Sequence, residues 1–329
     1  MDLGTTSVQV AVRGRGIVLE EPSVVAVDRR TGKILEVGQA ARQMLGRTPG
    51  ELVAVRPLEQ GYIADCTMAE EMVSAFLRKA LPRRLFKPRL LLCVPSGSAE
   101  VAERAVVEAG VRAGARKVYL MEEPLAAALG AGIDIRQPQG HMVVDIGGGT
   151  TDVAVTALGG VVASACLATA GDQFDQALIQ YVRQHHDLLI GARTAQAVKE
   201  AIGQVAEESA AVKGRCLTSG LPRQITLTAQ ETAEAFAPVA EVIVAAVHRV
   251  LERTPPELAA DVAESGLLLT GGGSLLRGLD TLLAQRTGME AHVTAAPIQS
   301  VALGLLETLP DLSKRKEGVL HLARRQWSL

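Results

Sequence analysis

A glycine-threonine turn that occurs twice constrains this chain more than any other feature. The first copy reads Asp2-Leu3-Gly4-Thr5-Thr6-Ser7, and the second reads Asp145-Ile146-Gly147-Gly148-Gly149-Thr150-Thr151-Asp152. An apolar run at 8–12 follows the first copy, and apolar runs at 142–144 and 153–155 flank the second, which predicts strand, tight turn, strand in each. Glycine lets the backbone approach a ligand closely because it has no Cβ, and successive N–H groups with threonine hydroxyls bind anions. The two copies predict two similar lobes that close on one nucleotide.

A third glycine-rich turn strengthens this interpretation. Residues 266–270 are strand-like and run into Gly271-Gly272-Gly273-Ser274, and residues 275–286 have a helix-like composition. Glycines between a strand and a helix let an anionic ligand lie against the backbone. One glycine hairpin alone is as often structural as functional, but three such strand exits favour a nucleotide site. The aspartates that lead the two hairpins, Asp2 and Asp145, suit Mg²⁺ directly or through its water shell.

Composition narrows the fold class and the partners. Hydrophobic residues make up 48% of the chain but aromatic residues only 2%, so the core must consist mainly of Ala, Val, Leu and Ile. Strand-like segments at 89–94 and 117–121 alternate with helix-like segments at 68–80 and 99–113, which predicts an α/β fold with buried, mostly parallel strands. A formal net charge of −2 and the scarcity of aromatic side chains argue against nucleic acid as a partner.

Cysteine and histidine usage gives no metal or disulfide framework. The four cysteines lie far apart without a CxxC motif, so neither zinc nor disulfides are indicated and a reducing cytoplasm is expected. His185 and His186 are adjacent, and adjacent residues on a helix do not share a face. No third ligand is nearby in the sequence, so a metal site at this pair is not indicated. The sequence also contains no signal peptide and no apolar run long enough to span a bilayer.

Several short sequence motifs, in and between the glycine turns, resemble those of one family. They are EPSVVA at 21–26, MLGRTPG at 44–50, RPL at 56–58, GYIAD at 61–65, EEPLAAA at 122–128, TPPEL at 254–258 and LLTGGGSLLR at 268–277. With the paired hairpins, they resemble the MreB family of bacterial actins (MreB/Mbl-like), within the actin, sugar kinase and heat-shock chaperone ATPase superfamily. The resemblance covers residues 1 to about 306.

The resemblance implies an actin-like (ribonuclease H-like) α/β fold with two lobes and four subdomains around a central nucleotide cleft. The inner subdomain of the first lobe would comprise residues 1–24, 58–137 and 300–329, with 25–57 as its small subdomain. The inner subdomain of the second lobe would comprise 138–173 and 232–299, with 174–231 as its small subdomain.

The resemblance also assigns roles to residues, with ATP and Mg²⁺ as cofactors. Asp2 and Asp145 would hold Mg²⁺ through water, and Glu123, with Asp145 as the second catalytic residue, would position or activate the attacking water. Without the resemblance, Glu122 and Glu123 would be acids at a helix N-terminus, where the helix dipole favours them. The implied nucleotide-binding residues are Gly4, Thr5, Thr6, Ser7, Gly147, Gly148, Gly149, Thr150, Gly171, Asp172, Lys199, Glu200, Gly203, Gly271, Gly272, Gly273, Ser274 and Leu275.

Three positions depart from the family pattern. Ala201 stands where relatives carry a glutamate, and Glu200 lies about 100° away on a helix, which puts the ribose or base contact in doubt. Leu306 stands near a position where relatives carry glycine. The chain starts one residue before Asp2, so we expect the α-amino group beside the phosphate site, through either a late start or a shortened edge of the cleft.

The loop at 82–88 predicts contact with a membrane. Leu85 and Phe86 are flanked by Arg83, Arg84 and Lys87, a pattern that suits an anionic interface. The alternative is an ordinary loop with both side chains folded inward. The position resembles the family's membrane loop, so we expect the protein in the cytoplasm, peripheral on the inner face of the cytoplasmic membrane.

The resemblance implies an ATP-dependent cytoskeletal filament that organises cell-wall synthesis and sets rod shape, with slow ATP hydrolysis. Its partners would be itself, in parallel or antiparallel double protofilaments, the membrane and cell-wall elongation proteins. The alternatives are a small-molecule kinase, a chaperone ATPase, or a catalytically weak scaffold of the same superfamily. The small subdomains leave little room for a sugar site, and the chain stops before any chaperone substrate-binding domain.

Overall fold

A computed structural model describes residues 1–45, 51–82, 86–204, 208–310 and 312 of the chain. It shows two lobes that face each other across a cleft, followed by a C-terminal helix that returns to the first lobe. The elements of the first lobe are β1 (Asp2–Leu3), β2 (Ser7–Val12), β3 (Gly16–Pro22), β4 (Val25–Asp28), β5 (Ile34–Val37), α1 (Gln39–Met44), β6 (Leu52–Val55), β7 (Leu58–Glu59), β8 (Tyr62–Ile63), α2 (Cys66–Ala80), β9 (Arg89–Val94), α3 (Glu100–Arg112), β10 (Lys117–Glu122) and α4 (Glu123–Gly130).

The second lobe and the returning helix contain the remaining elements. They are β11 (His141–Ile146), β12 (Thr151–Ala157), β13 (Gly160–Leu167), α5 (Gly171–His186), β14 (Leu188–Leu189), α6 (Ala192–Gln204), β15 (Ser209–Cys216), β16 (Pro222–Thr228), α7 (Ala229–Glu252), α8 (Pro256–Ser265), β17 (Leu267–Thr270), a 3₁₀ turn (Gly272–Leu275), α9 (Leu279–Thr287), β18 (Ala291–Val293), a second 3₁₀ turn (Pro297–Gln299) and α10 (Ser300–Thr308).

A five-stranded sheet forms the core of the second lobe, in the order β13-β12-β11-β17-β18. The first three strands are antiparallel, and β17 and β18 run parallel to β11. Successive side chains of β11 point to opposite faces, as the strand period requires. Met142 and Val144 pack in a cluster with α7, whereas Val143 packs with α4 and α10. Both faces are covered, which explains why the middle of this strand, residues 142–144, is entirely apolar.

The first lobe repeats this arrangement. Strands β1, β2 and β3 form one antiparallel set, and β9 pairs with β10 in parallel. The α-amino group of Met1 donates a hydrogen bond to the Leu91 carbonyl oxygen at 2.7 Å, which places β1 beside β9. The resulting order, β3-β2-β1-β9-β10, matches the order in the second lobe. The hairpins that end at the two glycine turns therefore occupy equivalent places in the two lobes.

Each lobe also carries a smaller sheet. The order is β5-β4-β6 in the first lobe and β14-β15-β16 in the second. The first small sheet packs against α1 through the buried Ala41, and the second packs against α5 and α6 around Leu178 and Val198. These sheets fall within residues 25–57 and 174–231, the segments predicted as small subdomains. The residue bounds of the four subdomains stay a prediction.

Two glycines let α4 and α10 cross at very short distance between the lobes. A Cβ added to Gly304 would lie 1.8 Å from the Ala126 carbonyl oxygen, and one added to Gly130 would lie 1.8 Å from the Ser300 carbonyl oxygen. Glu123 begins α4, so this contact fixes the helix that positions it. Leu306, one of the departures from the family pattern, lies two residues after Gly304 and lines an apolar cavity in the first lobe with Val10.

Some predicted element bounds were wrong. The helix predicted over 275–286 begins only at Leu279, after a short 3₁₀ turn, because Gly278 adopts a φ of 82° that a continuous helix excludes. The hairpin predicted at 215–228 has a longer first strand, which begins at Ser209. Elsewhere the agreement is close, and β9 has the predicted bounds, 89–94.

Candidate functional site

The three glycine turns meet at a cavity of about 290 Å³ between the lobes. Residues from β1, β2, α4, β11, α5 and α6 contribute to its wall, although they are distant in the sequence. The predicted site residues that line it are Asp2, Gly4, Thr5, Thr6, Ser7, Glu123, Asp145, Gly147, Gly148, Gly149, Thr150, Gly171, Asp172, Lys199, Glu200, Gly271, Gly272 and Gly273.

The two hairpin turns face each other directly. A Cβ on Gly149 would lie 2.5 Å from the Thr5 hydroxyl oxygen, so the backbone of one turn approaches the side chains of the other. Thr5 Oγ1 accepts a hydrogen bond from the Gly61 N–H at 2.9 Å. Thr6 Oγ1 is buried and has no hydrogen-bond partner among the described residues. A buried hydroxyl without a partner is costly unless a ligand pairs with it, so Thr6 indicates a polar ligand in the cavity.

The N-terminus of α5 is attached to the second hairpin. The N–H of Gly171 donates to the Gly147 carbonyl oxygen at 3.1 Å, and that of Asp172 donates to the Gly148 carbonyl oxygen at 2.7 Å. Lys199 Nζ donates to the Gly171 carbonyl oxygen at 2.8 Å and pairs with Asp175 Oδ1 at 2.9 Å. The hairpin, the start of α5 and the middle of α6 therefore form one connected wall.

The third turn closes the cavity from the side of β17. Gly271 has a φ of 78°, and a Cβ there would lie 2.3 Å from the Ile146 carbonyl oxygen. Ser274 is buried, and its hydroxyl donates to the Gly271 carbonyl oxygen at 2.7 Å. Neither Ser274 nor Leu275 lines the cavity, whereas Leu276 does. Ser274 and Leu275 are absent from the lining because they lie in the 3₁₀ turn, where the Ser274 side chain points back to the turn instead of toward the cleft.

Buried carboxyl groups give the cleft its electrostatic character. Burial raises the pKa of Asp145 to about 6, against a lowering contribution from the Thr270 hydroxyl, which donates to its Oδ1 at 2.8 Å. Burial also raises the pKa of Asp2. The pKa of Glu123 is raised well above its ordinary value, first by burial and then by the charges of Asp152, Asp2 and Asp145. Several acids that share one low-dielectric site cannot all ionise at low cost, so the cleft favours entry of a cation.

Asp152 is the most informative residue that the sequence reasoning missed. It lies opposite Asp145 in the β11–β12 ladder and is 1% exposed. Its Oδ1 accepts from the Ser96 N–H at 2.8 Å, and its Oδ2 accepts from the Cys166 thiol at 3.4 Å. Burial raises its pKa. A carboxylate inside a fully buried strand, β12, whose other residues are threonine or apolar, was the signal that could have identified it.

Asp152 does not itself line the cavity, and the sequence reasoning assigned no role to a further set of residues that do, some of which lie within the quoted motifs. They are Leu3, Glu20, Arg42, Arg56, Gly61, Asp175, Gln196, Leu276, Pro297, Ile298 and Val301. Two further predictions concern α6. Gly203 lies in that helix, but its surroundings fall outside what the structure describes. Ala201 does not line the cavity, whereas Glu200 does, and Glu200 accepts a hydrogen bond from Gln196 Nε2 at 2.9 Å.

The donor set fits Mg²⁺ bound through water. Asp2 and Asp145 lead the two facing turns and both line the cavity. Within the described ranges, no group of three or more His, Cys, Asp or Glu side chains is arranged to hold a metal ion. Mg²⁺ commonly keeps several waters and uses one or two carboxylates plus substrate phosphates, which matches two carboxylates better than an all-protein cage does. His185 and His186 contact the Tyr181 carbonyl oxygen and Glu231 instead.

The predicted membrane loop is only partly described. Leu85 lies outside the described residues. Phe86 is 85% exposed, so it does not fold inward as the alternative interpretation required. Across the described ranges, no helix combines the length and apolar character needed to cross a bilayer.

Comparison with known proteins agrees with this geometry. The family model described as MreB/Mbl protein matches residues 1–317. The cell shape-determining protein Mbl of Bacillus subtilis (strain 168) is 48% identical over 324 residues, which cover 96% of this chain and 97% of the relative. The cell shape-determining protein MreB of Escherichia coli (strain K12) is 46% identical over 314 residues, which cover 92% and 90%.

Solved structures match as well. The crystal structure of MreB5 of Spiroplasma citri bound to ADP superposes with a TM-score of 0.90 at 34% identity, over 94% of this chain and 95% of that one, and the AMPPNP-bound structure gives the same values. The MamK double helical filament matches with a TM-score of 0.79 at 22% identity, over 96% and 98%, which shows a shared fold. The actin-like two-lobed fold is thereby confirmed, and the chain belongs to the MreB/Mbl family.

Proposed function

We propose that this protein is an ATP-dependent bacterial actin. It polymerises into filaments that lie on the inner face of the cytoplasmic membrane and organise cell-wall synthesis to set rod shape. The observation that carries the proposal is the pair of facing turns. The Thr6 hydroxyl there is buried without a partner among the described residues, and the glycines allow a ligand to approach the backbone closely because they have no Cβ. The curated relatives named as cell shape-determining proteins support it.

ATP is the proposed ligand. The MreB5 structures at 34% identity carry ADP and AMPPNP, and the corresponding fold here has a cavity between the lobes. The turn residues Thr5 and Thr6 would hold one phosphate group, and Gly148 and Thr150 on the opposite turn would hold another, through backbone N–H groups and hydroxyls. The third turn and α6, with Gly272 and Glu200, would flank the adenosine.

Glu123 is the proposed base for hydrolysis. It starts α4 at the floor of the cleft, and its raised pKa makes it a stronger proton acceptor once it is ionised. A water oxygen would form a bond to the γ-phosphorus as the bond to the β,γ-bridging oxygen breaks, and the water proton would pass to the Glu123 carboxylate. The products are ADP and inorganic phosphate. Bound Mg²⁺ would neutralise charge on the phosphate oxygens, and Asp2 and Asp145 would orient it through its waters.

Membrane attachment is proposed from the exposed Phe86 in a loop with basic neighbours. A single apolar side chain at an interface contributes little, but a filament multiplies the contribution by avidity. The filament partner would be the protein itself, in double protofilaments, and the further partners would be cell-wall elongation proteins. The MamK filament supports self-association only through its shared fold.

Electron microscopy with lipid tests the proposal. Purified protein with ATP and Mg²⁺ should form double filaments on vesicles that contain anionic lipid, and fewer on neutral vesicles. The same preparation should release phosphate slowly without any sugar. Absence of polymers with every nucleotide, together with ATP consumption that depends on a small-molecule acceptor, would establish the kinase alternative instead. Polymers without any ATP hydrolysis would establish the scaffold alternative.

A further inference from the structure

Arg56 forms an ion pair across the cleft that no motif suggested. It follows β6 in the small sheet of the first lobe, and its partner Asp172 is the second residue of α5 in the second lobe. Arg56 Nη1 lies 2.8 Å from both Oδ1 and Oδ2 of Asp172. Both residues line the cavity. The pair therefore joins the two lobes at the wall of the candidate site.

Both ends of this pair are anchored in the backbone. The Asp172 N–H is bound to the carbonyl oxygen of Gly148 at 2.7 Å, so its carboxylate is attached to the second hairpin. On the other side, Arg56 precedes Pro57, whose carbonyl oxygen accepts from the N–H groups of Ala64 and Asp65 at 2.9 and 3.2 Å. Because neither anchor is a mobile tip, the pair links the small sheet of one lobe to the phosphate turn of the other.

A second hydrogen bond crosses the same cleft, and its acceptor is the uncharged amide of a glutamine. Arg42 Nη2 on α1 donates to Gln196 Oε1 on α6 at 3.2 Å, and Gln196 Nε2 donates to Glu200 at 2.9 Å. All three side chains line the cavity. The first-lobe donors, Arg42 and Arg56, flank β6 of one small sheet, so the lobes cannot separate on this side without breaking both contacts.

We propose that the Arg56–Asp172 pair is a latch that holds the lobes closed over the nucleotide and slows its release, with Arg42–Gln196 as a weaker second point. Arg56 is thus a positioning residue, and Asp172 acts from the second lobe as its acceptor. The latch rests on the proposed function for the identity of the trapped ligand, but the ion pair itself joins the lobes through protein atoms alone.

The expected size of the effect follows from exposure. The side chains of Arg56 and Asp172 are 30% and 32% exposed, so solvent screens the pair and its strength lies in the range of surface ion pairs. Loss of either partner should therefore speed release roughly 2- to 5-fold. Because exposed ion pairs weaken with ionic strength, added salt should speed release from the parent and have little effect on variants that lack the pair.

The test compares release of a fluorescent ADP analogue, with Mg²⁺, from the parent, Arg56→Gln, Asp172→Asn, the double variant that combines these two substitutions, and the charge-swapped double variant Arg56→Asp with Asp172→Arg. The latch predicts faster release from both single variants, no additivity when they are combined, and partial recovery in the swapped pair. Arg286→Gln is the matched control, because it removes a pair with Glu241 within the second lobe, and its release rate should equal that of the parent.

Opposite effects of the two single variants would overturn the latch. If Arg56→Gln weakens binding while Asp172→Asn tightens it, Arg56 binds phosphate instead. Unchanged release from both also contradicts the proposal. Small-angle scattering of nucleotide-free protein supplies a readout that survives failure of the proposed function. The latch predicts a larger radius of gyration for Arg56→Gln than for the parent and Arg286→Gln, and equal radii would overturn it.

Discussion

Gly148 and Thr6 stand so close across the cleft that a Cβ on Gly148 would lie 1.7 Å from the Thr6 hydroxyl oxygen. Gly148 belongs to the second lobe and Thr6 to the first. The absence of a side chain at 148 is therefore required for the two lobes to close, quite apart from any ligand.

Gly148→Ala should hold the cleft open. We expect loss of ATP·Mg²⁺ binding by at least roughly 10-fold, because a phosphate group can no longer contact both turns. Calorimetry measures the affinity of each variant for ATP·Mg²⁺. Gly191→Ala is the control, since a Cβ at Gly191 meets nothing within 4 Å, and it should bind like the parent. Equal affinity for Gly148→Ala and the control would show that the facing turns are not the phosphate site.

Glu123→Gln should slow phosphate release by roughly 10²-fold or more, the scale of a lost general base. The amide keeps the size of the side chain but cannot accept the water proton. Nucleotide should still bind, so affinity by calorimetry is measured alongside. A normal rate of hydrolysis in this variant would reduce Glu123 to an acid that stabilises the start of α4.

The buried acids predict how stability depends on pH. Burial raises the folded-state pKa values of Asp145, to about 6, and of Asp152, so the folded protein binds protons more tightly than the unfolded chain does. The stabilisation that this tighter proton binding gives the folded protein is fully present below the ordinary carboxyl pKa, about 4. It is lost as the pH rises through about 6 and above.

Asp152→Asn tests this sign. The amide carbonyl can still accept from the Ser96 N–H, but no charge is buried. The variant should gain stability relative to the parent as the pH rises from about 4 to 8, by on the order of 1–3 kcal/mol. Urea unfolding without nucleotide and with a chelator measures the difference. A constant difference across this range would contradict the raised proton affinity.

Gly304→Ala should destabilise the protein by roughly 1–3 kcal/mol, because a methyl group cannot fit against the Ala126 carbonyl oxygen without moving α4 or α10. Hydrolysis should fall as well, since α4 positions Glu123. Urea unfolding and phosphate release measure the two effects, with Gly191→Ala as the reference. Parent-like values for both would show that the crossing of α4 and α10 tolerates a side chain.

Phe86→Ser should weaken attachment to anionic vesicles. An exposed phenyl group that enters the acyl region contributes about 1–2 kcal/mol per subunit, which a filament multiplies. Flotation of ATP-dependent polymers with anionic vesicles measures the fraction of protein that is attached. Val101→Ser is the control, because Val101 is 78% exposed on α3 and carries no such role. Equal flotation of Phe86→Ser and the parent would remove this loop from the anchor.

The sequence by itself determined the local structure of this protein, namely its turns and individual strands. The hairpin turns were predictable because their glycines, threonines and leading aspartates are contiguous, and turn chemistry acts over a few residues. Apolar runs determined strands such as β9 for the same reason. The family motifs then implied the lobes, and the likeness to solved structures confirms the actin-like fold.

Only the tertiary structure decided which distant groups meet. Arg56 and Asp172 are 116 positions apart, and their pairing depends on how the lobes close. The hydrogen bond that Asp152 accepts likewise depends on a loop of the first lobe, which brings the Ser96 N–H to its carboxylate. Ser274 was predicted to flank the adenosine, but it lies in a 3₁₀ turn before α9 and its hydroxyl donates to the Gly271 carbonyl oxygen, so it does not line the cavity. Local propensity cannot supply such contacts, because they arise from packing of elements far apart in the chain.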